Sequence, residues 1–176
     1  MTVAIEQLRF RRAEEQDVPI LRAVCITTFY ETYYRFDDPV DLASYIDKEF
    51  CKNKLASEIR QGSKHYILVE LNKSIVGYYC ISLEEPSSFI PSSARIERIY
   101  LLRDVAGSGK GRLVMDDCIN RCHSLGILGI WLTVFERNVA ACHFYERYGF
   151  IFKEHVEFEY GGGVERHLLF VREIGI

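Results

Sequence analysis

The segment AGSGKGR, residues 106–112, follows a predicted strand, Arg95 to Leu102, and opens a predicted helix. Its glycines allow the backbone to approach a ligand closely, and the N–H groups at a helix start favour a phosphate group. Lys110 and Arg112 add positive charge. The segment therefore predicts a cradle for a pyrophosphate, with a simple tight turn that caps a helix as the alternative interpretation.

Two familiar phosphate-binding motifs do not fit this segment. A P-loop requires G-x-x-x-x-G-K-[ST], but Asp104 stands at the first glycine position and Gly111 at the Ser/Thr position. The dinucleotide fingerprint G-x-G-x-x-G fails because its third glycine comes one position early. The sequence therefore disfavours a nucleoside triphosphate site and a Rossmann-type site.

A second segment, NVAACHFYERYGF at residues 138–150, is typical of a short helix with both caps. Asn138 is a natural N-cap, and Gly149 ends the helix. Ala141 and Tyr145 are four residues apart, so they share one helix face. The pattern predicts a helix over Asn138 to Tyr148, followed by a strand.

Together the two segments resemble the GNAT (Gcn5-related N-acetyltransferase) superfamily. Its pyrophosphate motif, Q/R-x-x-G-x-G/A, aligns with residues 106–111, and its later motif, N-x-x-A-x-x-x-Y-x-x-x-G-F, aligns with residues 138–150. Ala106 stands where the motif has Gln or Arg, so a side-chain contact to the pyrophosphate is absent there. Three segments, IERIY (96–100), WLTVFERN (131–138) and TFYET (28–32), resemble sequences of the PaiA-type polyamine or diamine acetyltransferases of bacteria.

The order of the other elements follows from hydrophobic periodicity and turn residues. The predicted strands are Leu8 to Ala13, His65 to Leu71, Ile75 to Leu83, Arg95 to Leu102, Ile127 to Val134, Phe150 to Phe158 and Arg166 to Arg172. The predicted helices run from the N-cap Asp17 toward Tyr34, from Val40 to Gln61 with a break near Cys51, from the glycine-rich turn to Gly126, and from Asn138 to Tyr148. We predict one domain over residues 1–176, of α/β class with a mixed (α+β) sheet: a GNAT-like fold with a central twisted sheet of about seven strands and helices on both faces.

Composition excludes several classes of protein. The 176 residues carry a formal net charge of -3, which disfavours a nucleic-acid or anionic-membrane surface. Apolar runs fall short of the ~20 residues that span a bilayer, and the charged start does not resemble a signal peptide. The six cysteines contain no CxxC pair, which predicts reduced thiols, no metal site and a cytoplasmic protein.

The resemblance implies an N-acetyltransferase that uses acetyl-CoA as co-substrate. Coenzyme A would fill a gap where the strands Arg95 to Leu102 and Ile127 to Val134 splay apart, with its pantetheine on the backbone of Ile99 and Leu101. The residues expected to bind it are Ile99, Tyr100, Leu101, Ala106, Gly107, Ser108, Gly109, Lys110, Gly111, Arg112, Asn138, Ala141 and Arg147. For Arg147 a solvated helix face is the alternative, and Asn138 can act as a cap and a ligand at once.

Acetyl transfer to an amine needs a base for the amine and an acid for the leaving thiolate. The resemblance implies Tyr145 as the acid, with a core tyrosine as the alternative. Glu97 is the candidate base, directly or through a water, because a partly buried carboxylate with a raised pKa suits that task. The alternative for Glu97 is an ion pair with Arg95 or Arg98. None of the five histidines is assigned a role.

The acceptor is expected over the first helices and the final hairpin. Tyr30, Glu31 and Tyr34 are the candidate substrate-binding residues, since carboxylates among aromatic rings hold a cationic amine. Asp37, Asp38, Asp41 and Tyr33 lie in the same cluster, for which a solvated loop is the alternative. We expect the acceptor to be a small, polyamine-like primary amine. A peptide or protein N-terminus is the alternative acceptor, and a non-catalytic acyl-CoA sensor is the alternative function. Exposed strands in the last hairpin also allow a homodimer.

Overall fold

The computed structural model describes residues 7–107 and 109–175. Within them the strands are β1 (Arg9–Arg12), β2 (Lys64–Leu71), β3 (Ser74–Ser82), β4 (Ser93–Leu101), β5 (Gly129–Phe135), β6 (Ile151–Tyr160) and β7 (Gly163–Glu173). The helices are α1 (Val18–Tyr33), α2 (Pro39–Glu49), α3 (Lys52–Gln61), α4 (Lys110–Ser124) and α5 (Val139–Arg147). This order of elements is the one that the sequence predicts.

The seven strands form one mixed sheet in the order β1-β2-β3-β4-β5-β7-β6. Side chains alternate across it, so neighbouring strand residues enter different cores. Leu68 and Tyr78 pack with α1, α2 and α3 on one face, whereas Ile67 and Tyr79 pack with α4 and α5 on the other. The predicted GNAT-like mixed sheet with helices on both faces is therefore confirmed.

Strands β4 and β5 are the only parallel neighbours in the described part of the sheet, and they pair over a short length. Their register covers Ser93 to Arg95 against Gly129 to Trp131 and goes no further. A bulge follows in β4, because Arg98 faces Cys80 and Ile96 faces Ile81 on β3, which leaves Glu97 without a partner. Past this point the β4 edge that faces β5 is open, and backbone groups point into a gap.

Local details confirm some predictions and correct others. The predicted break near Cys51 is confirmed, since α2 ends at Glu49 and α3 begins at Lys52. Asp17 does not cap α1 through its side chain. Its carboxylate instead accepts hydrogen bonds from the Arg11 guanidinium and from the backbone N–H of Glu14, and so closes a short 3-10 turn.

Three further features concern membrane-spanning helices, metal sites and cysteines. In residues 7–107 and 109–175, no helix is long and apolar enough to cross a membrane. The same residues contain no group of three or more His, Cys, Asp or Glu side chains placed to hold a metal ion. All six cysteines are free thiols, and five of them are buried.

Candidate active site

A cavity of about 260 Å³ lies where β4 and β5 part. We call it the inter-strand groove. It is lined by Thr32, Tyr33, Ile96, Glu97, Arg98, Ile99, Tyr100, Leu101, Leu132, Thr133, Val134, Asn138, Ala141 and Tyr145. The open edge of β4 offers backbone N–H and C=O groups that no strand satisfies, which suits an extended ligand with amide groups.

The groove continues to the glycine-rich turn. Ile99, Leu101, Ala141 and Tyr145 line this second stretch as well, together with Ala106, Gly107, Gly111, Val114 and Phe144. Gly107 (φ +94°) and Gly109 (φ +81°) have left-handed backbones, and a Cβ on either would meet nothing within 4 Å. This open cradle before the first turn of α4 fits a phosphate group. Ser108, predicted to bind there, lies outside the described residues.

The charged residues predicted for coenzyme A lie around this turn in different settings. Lys110 is the first residue of α4. Arg112 is highly exposed and lies 3.8 Å from Asp116, a distance at which an exposed ion pair contributes little. Arg147 is exposed, and its Nε donates to the carbonyl of His143. Lys110 and Arg112 therefore flank the cradle, whereas Arg147 points along its own helix.

Asn138 serves two purposes at once. It is the N-cap of α5, and its side chain accepts a hydrogen bond from the backbone N–H of Ala141 at 3.3 Å. Asn138 and Ala141 also line the inter-strand groove. The cap therefore fixes the start of α5 against the groove, and with it the position of Tyr145 about two turns further along.

Tyr145 is only 9% exposed, and its ring packs edge-on against Phe144 and Phe150. It lines both stretches of the groove. Burial raises the pKa of Tyr145 well above its usual value, so the hydroxyl keeps its proton at any ordinary pH. Such a hydroxyl can donate a proton or hydrogen bond to a group in the groove, although the side chain also contributes to the core.

Glu97, the bulge residue of β4, lies at a junction. It lines the inter-strand groove and a neighbouring cavity of about 100 Å³, which we call the lateral pocket. Its Oε2 is 3.0 Å from Lys64 Nζ and 3.7 Å from Arg98 Nη1. The ion pair with Arg98 that the sequence suggested as the alternative role is present, and Lys64 adds a second one.

The lateral pocket lies between α1, the start of α2 and the β6–β7 hairpin. It is lined by Phe29, Tyr33, Asp37, Tyr45, Arg95, Glu97, Arg98, Tyr100, Thr133, Phe158, Tyr160, Glu165 and His167. Burial raises the pKa of Asp37, and burial together with the Asp37 charge raises the pKa of Glu165. Both carboxylates thus lack enough compensating positive charge in their surroundings.

The two arginines of the lateral pocket are already neutralised. Arg95 donates to Glu85 at 2.7 Å and lies over the Trp131 ring. Arg98 donates to Glu49 at 3.0 Å and lies over the Phe50 ring. The pocket therefore presents negative charge and aromatic faces, and this combination attracts a cation.

The three predicted substrate residues lie elsewhere. Tyr30 is 53% exposed and stacks on Tyr34. The Glu31 carboxylate accepts a hydrogen bond from the backbone N–H of Arg103, whose guanidinium lies over the Tyr34 ring. None of the three lines the groove or the lateral pocket, because they project from the outer face of α1.

Their neighbours Tyr33 and Asp37 line the lateral pocket instead, with four residues of the last hairpin that were not predicted as site residues. These are Phe158, Tyr160, Glu165 and His167. The sequence contains two signals that could have identified some of these pocket residues. Tyr33 follows Phe29 by four residues on the buried face of α1, and Glu165 and His167 alternate on one face of a strand.

The chain is similar to known proteins in both sequence and fold. The family model described as "Acetyltransferase (GNAT) family" matches residues 26–150. An uncharacterized N-acetyltransferase in the pepI 3' region of Lactobacillus delbrueckii subsp. lactis is 26% identical over 148 residues, 82% of this chain and 86% of that protein.

Solved structures share the fold. The PaiA N-acetyltransferase from Thermoplasma acidophilum, in complex with coenzyme A, superposes with a TM-score of 0.79 at 18% identity over 95% of this chain and 99% of that one. A spermidine N-acetyltransferase SpeG chimera from Vibrio cholerae and hSSAT gives a TM-score of 0.73 at 19% identity, covering 96% of each chain.

Proposed function

The chain belongs to the acetyltransferase (GNAT) family and is an acetyl-CoA-dependent N-acetyltransferase, and we propose that its acceptor is a primary amine of a small polycation, of the polyamine type. One observation carries the proposal. The lateral pocket, which opens into the inter-strand groove at Glu97, holds the carboxylates Asp37 and Glu165 among aromatic rings.

The inter-strand groove is the proposed site of acetyl-CoA. Pantetheine would lie along the open edge of β4 at Ile99 to Leu101, and the pyrophosphate at the turn from Ala106 to Arg112. The left-handed backbones of Gly107 and Gly109 and the space beside them support this orientation. Lys110 and Arg112 supply the positive charge that Ala106 lacks.

Two groups in the groove serve the chemistry. A backbone N–H on the open edge of β4 would polarise the thioester carbonyl as negative charge develops on its oxygen. Tyr145 would donate its hydroxyl proton to the thiolate as the C–S bond breaks. The protonated state of Tyr145, which burial maintains, supports this role.

The charge around the lateral pocket argues for more than one cationic nitrogen in the acceptor. Glu97 stands at the junction with the groove, where the reacting amine must lie. Asp37 and Glu165 line the lateral pocket but not the groove, and they carry no ion pair with a lysine or arginine in the described residues. A second ammonium group would neutralise them and lower their pKa values toward the usual range.

Size also favours a small acceptor over a peptide. The lateral pocket has a volume of about 100 Å³ and lies between helix α1 and the β6–β7 hairpin. A peptide or protein N-terminus would need an open groove beside the thioester. A sensor without catalysis would not need a proton donor at Tyr145.

The experiment combines binding and turnover. Acetyl-CoA is titrated calorimetrically, and thiol release is then followed with spermidine, diaminobutane, butylamine and a peptide with an unblocked N-terminus. Diaminobutane and butylamine share a chain length and differ in the second cation. We expect kcat/KM to be at least about tenfold higher for the diamine, the ratio that about 1.4 kcal/mol of binding gives.

Equal values for diaminobutane and butylamine would contradict the polycation proposal. Faster turnover of the peptide would favour the N-terminal alternative. Binding of acetyl-CoA without thiol release for any amine would favour a sensor.

We also propose that two copies associate through the outer edge of the sheet. Strand β6 is the edge strand beyond β7, ten residues long, and Ile151 and Phe152 on it are 62% and 43% exposed. Sedimentation equilibrium tests this, and a monomer at every concentration would contradict it.

A further inference from the structure

His167 lines the lateral pocket and has no role in the chemistry proposed above. It lies on β7 directly opposite Phe135 of β5, and its ring packs against Phe135 and Phe158. The side chain is 14% exposed. An ionisable ring held between two aromatic rings at a cavity wall is poorly explained by packing alone.

The register of the sheet relates His167 to Thr133, a residue that lines both cavities. Thr133 faces Leu169 on β7, and His167 is the next residue on the same face. One such step is about 6.6 Å along a strand. Thr133 and Glu97 line both the groove and the pocket, and His167 lines the pocket one such step along β7 from the residue opposite Thr133.

The two ring nitrogens of His167 have different surroundings. Nε2 lies 3.5 Å from Oε2 of Glu165. Nδ1 is buried and has no hydrogen-bond partner. A carboxylate beside Nε2 stabilises the tautomer whose hydrogen is on that nitrogen, which leaves the lone pair on Nδ1. Glu165 would thereby orient the imidazole, as a carboxylate does in hydrolase triads.

Unpaired buried polar atoms concentrate around this pocket. In the described residues seven side-chain atoms are buried without a partner, and five belong to residues that line the lateral pocket. These five are Asp37 Oδ1, Arg95 Nε, Arg98 Nη1, Tyr160 Oη and His167 Nδ1. Arg98 Nη1 still lies 3.7 Å from Glu97 Oε2, and Asp37 and the Tyr160 hydroxyl interact with each other. Buried polar atoms are normally satisfied by protein groups or water, so His167 Nδ1 is available to a ligand or a water molecule in the pocket.

Glu97 is less suited to take the proton. Its Oε2 faces both Lys64 and Arg98, two permanent cations that hold the carboxylate in place. His167, in contrast, lies beside a carboxylate, with its Nε2 3.5 Å from Glu165 Oε2. Burial, followed by the charge of Arg95, lowers the pKa of His167, so the ring is neutral at physiological pH and its lone pair is available.

We propose that His167 is the general base of the reaction and accepts a proton from the acceptor ammonium on Nδ1, with Glu165 as its orienting partner. The inference rests on the lateral pocket as the acceptor site of the proposed function, but not on which amine is bound there. Glu97 then attracts the ammonium electrostatically from the mouth of the groove.

The protons balance as follows. Nδ1 takes one proton from the ammonium, and the amine lone pair forms the C–N bond at the thioester carbonyl. When the C–S bond breaks, its electron pair goes to sulfur, which receives the Tyr145 proton. The new amide nitrogen loses its second proton, which restores the tyrosine hydroxyl, and the imidazolium releases the first to solvent.

The test compares His167→Asn with His65→Asn across pH, using the amine that the wild-type enzyme acetylates fastest. His65 is a matched control, because burial also lowers its pKa and it lines neither the groove nor the lateral pocket. The charged and titratable groups around His167 are Glu165 on its own strand, Arg95 and Glu97 on β4, Glu136 after β5, Asp37 after α1, and Tyr160 on β6.

We expect H167N to lower kcat/KM about 100-fold at neutral pH, the usual contribution of a general base. The deficit should shrink as pH rises toward the pKa of the amine, because the neutral amine needs no base. The acid limb of the wild-type profile, where His167 becomes protonated, should disappear. H65N should keep the wild-type profile, and both variants should bind acetyl-CoA like the wild type.

A deficit of H167N that is the same at every pH would show a structural role and overturn the proposal. So would a pH-dependent deficit in Glu97→Gln without one in H167N. Nitrogen NMR of the wild-type imidazole is independent of variants and of the amine: a neutral ring with hydrogen on Nε2 supports the proposal, and hydrogen on Nδ1 at neutral pH contradicts it.

Discussion

The hydroxyl groups of Tyr33 and Tyr100 lie 3.3 Å apart, on a wall common to the inter-strand groove and the lateral pocket. Tyr33 ends α1, and Tyr100 is near the end of β4. Burial raises the pKa of each, so both hydroxyls stay protonated and one donates to the other. This contact fixes the helix that closes the acceptor pocket to the strand that binds coenzyme A in our proposal.

Replacing Tyr33 by Phe removes one partner and leaves the Tyr100 hydroxyl buried. We expect the free energy of unfolding to fall by about 1 kcal/mol and the KM for the amine to rise, with little change in acetyl-CoA affinity. Urea unfolding and steady-state kinetics measure the two effects. The control is Tyr30→Phe on the exposed face of α1, and an equal rise in KM for that variant would show that the amine binds at the outer face.

Tyr145→Phe tests the proton donor. The phenyl ring keeps the contacts with Phe144 and Phe150 but has no proton for the thiolate, so we expect kcat to fall about 100-fold with acetyl-CoA affinity almost unchanged. Thiol release measures kcat, and calorimetry measures the affinity for acetyl-CoA. Tyr148→Phe is a control on the same segment, since its hydroxyl donates to Asp116 outside the groove. Unchanged turnover in Y145F would leave Tyr145 as a core residue only.

Asp37 and Glu165 are expected to recognise the distal cation. Asp37→Asn and Glu165→Gln should each raise the KM for diaminobutane about tenfold and leave the KM for butylamine unchanged, because only the diamine carries a second ammonium group. Glu165→Gln should in addition lower kcat for both amines, because Glu165 orients His167 in our proposal. Asp38→Asn is the control: Asp38 caps α2 by accepting from Val40, and asparagine caps equally well. An equal rise in the KM for both amines would contradict a distal subsite.

The pH dependence of diamine binding follows from the same two carboxylates. Burial raises the pKa values of Asp37 and Glu165. A raised pKa means that the carboxylate becomes neutral at a higher pH than an ordinary one, so binding should weaken as pH falls through that raised range. In a D37N/E165Q double variant this loss should be absent from calorimetric titrations of diaminobutane in the presence of coenzyme A.

Much of the fold was predictable because its signals are local. The Asn72-Lys73 turn adopts positive φ values of 50° and 68°, as a tight hairpin turn requires. Glycine and asparagine caps marked the ends of the helices in the C-terminal half. The bounds of β4 were less predictable, since Ser93 joins the strand only through its parallel pairing with Gly129, a contact between distant segments.

The lateral pocket, the acceptor site in our proposal, was the less predictable part of the site. It joins residues from α1, the α1–α2 loop and the β6–β7 hairpin, which sequence proximity cannot bring together. Tyr30, Glu31 and Tyr34 stood out because they are adjacent in a polar-aromatic cluster. The helix turns them outward and turns Tyr33 inward. Glu97 was predicted as a site residue from its position on a strand. Its ion pairs were not fully predictable, because they depend on Lys64, which is distant in the sequence, and on the bulge in β4.

The last prediction separates backbone strain from ligand binding at the glycine-rich turn. Gly107 and Gly126 both have positive φ, +94° and +73°, and a Cβ on either meets nothing within 4 Å. Alanine at either position should therefore lower the free energy of unfolding by about 1 kcal/mol, the usual cost of a left-handed backbone for a residue with a Cβ.

Only Gly107 lines the groove, so G107A should weaken acetyl-CoA binding by about tenfold or more, whereas G126A should bind it like the wild type. The added methyl group would occupy the space that a phosphate needs, and the strained residue would tend to leave the conformation that forms the cradle. Urea unfolding measures the shared loss of stability, and calorimetry measures the difference in affinity. Wild-type affinity in G107A, despite the expected loss of stability, would show that the pyrophosphate lies elsewhere and that this turn only caps α4.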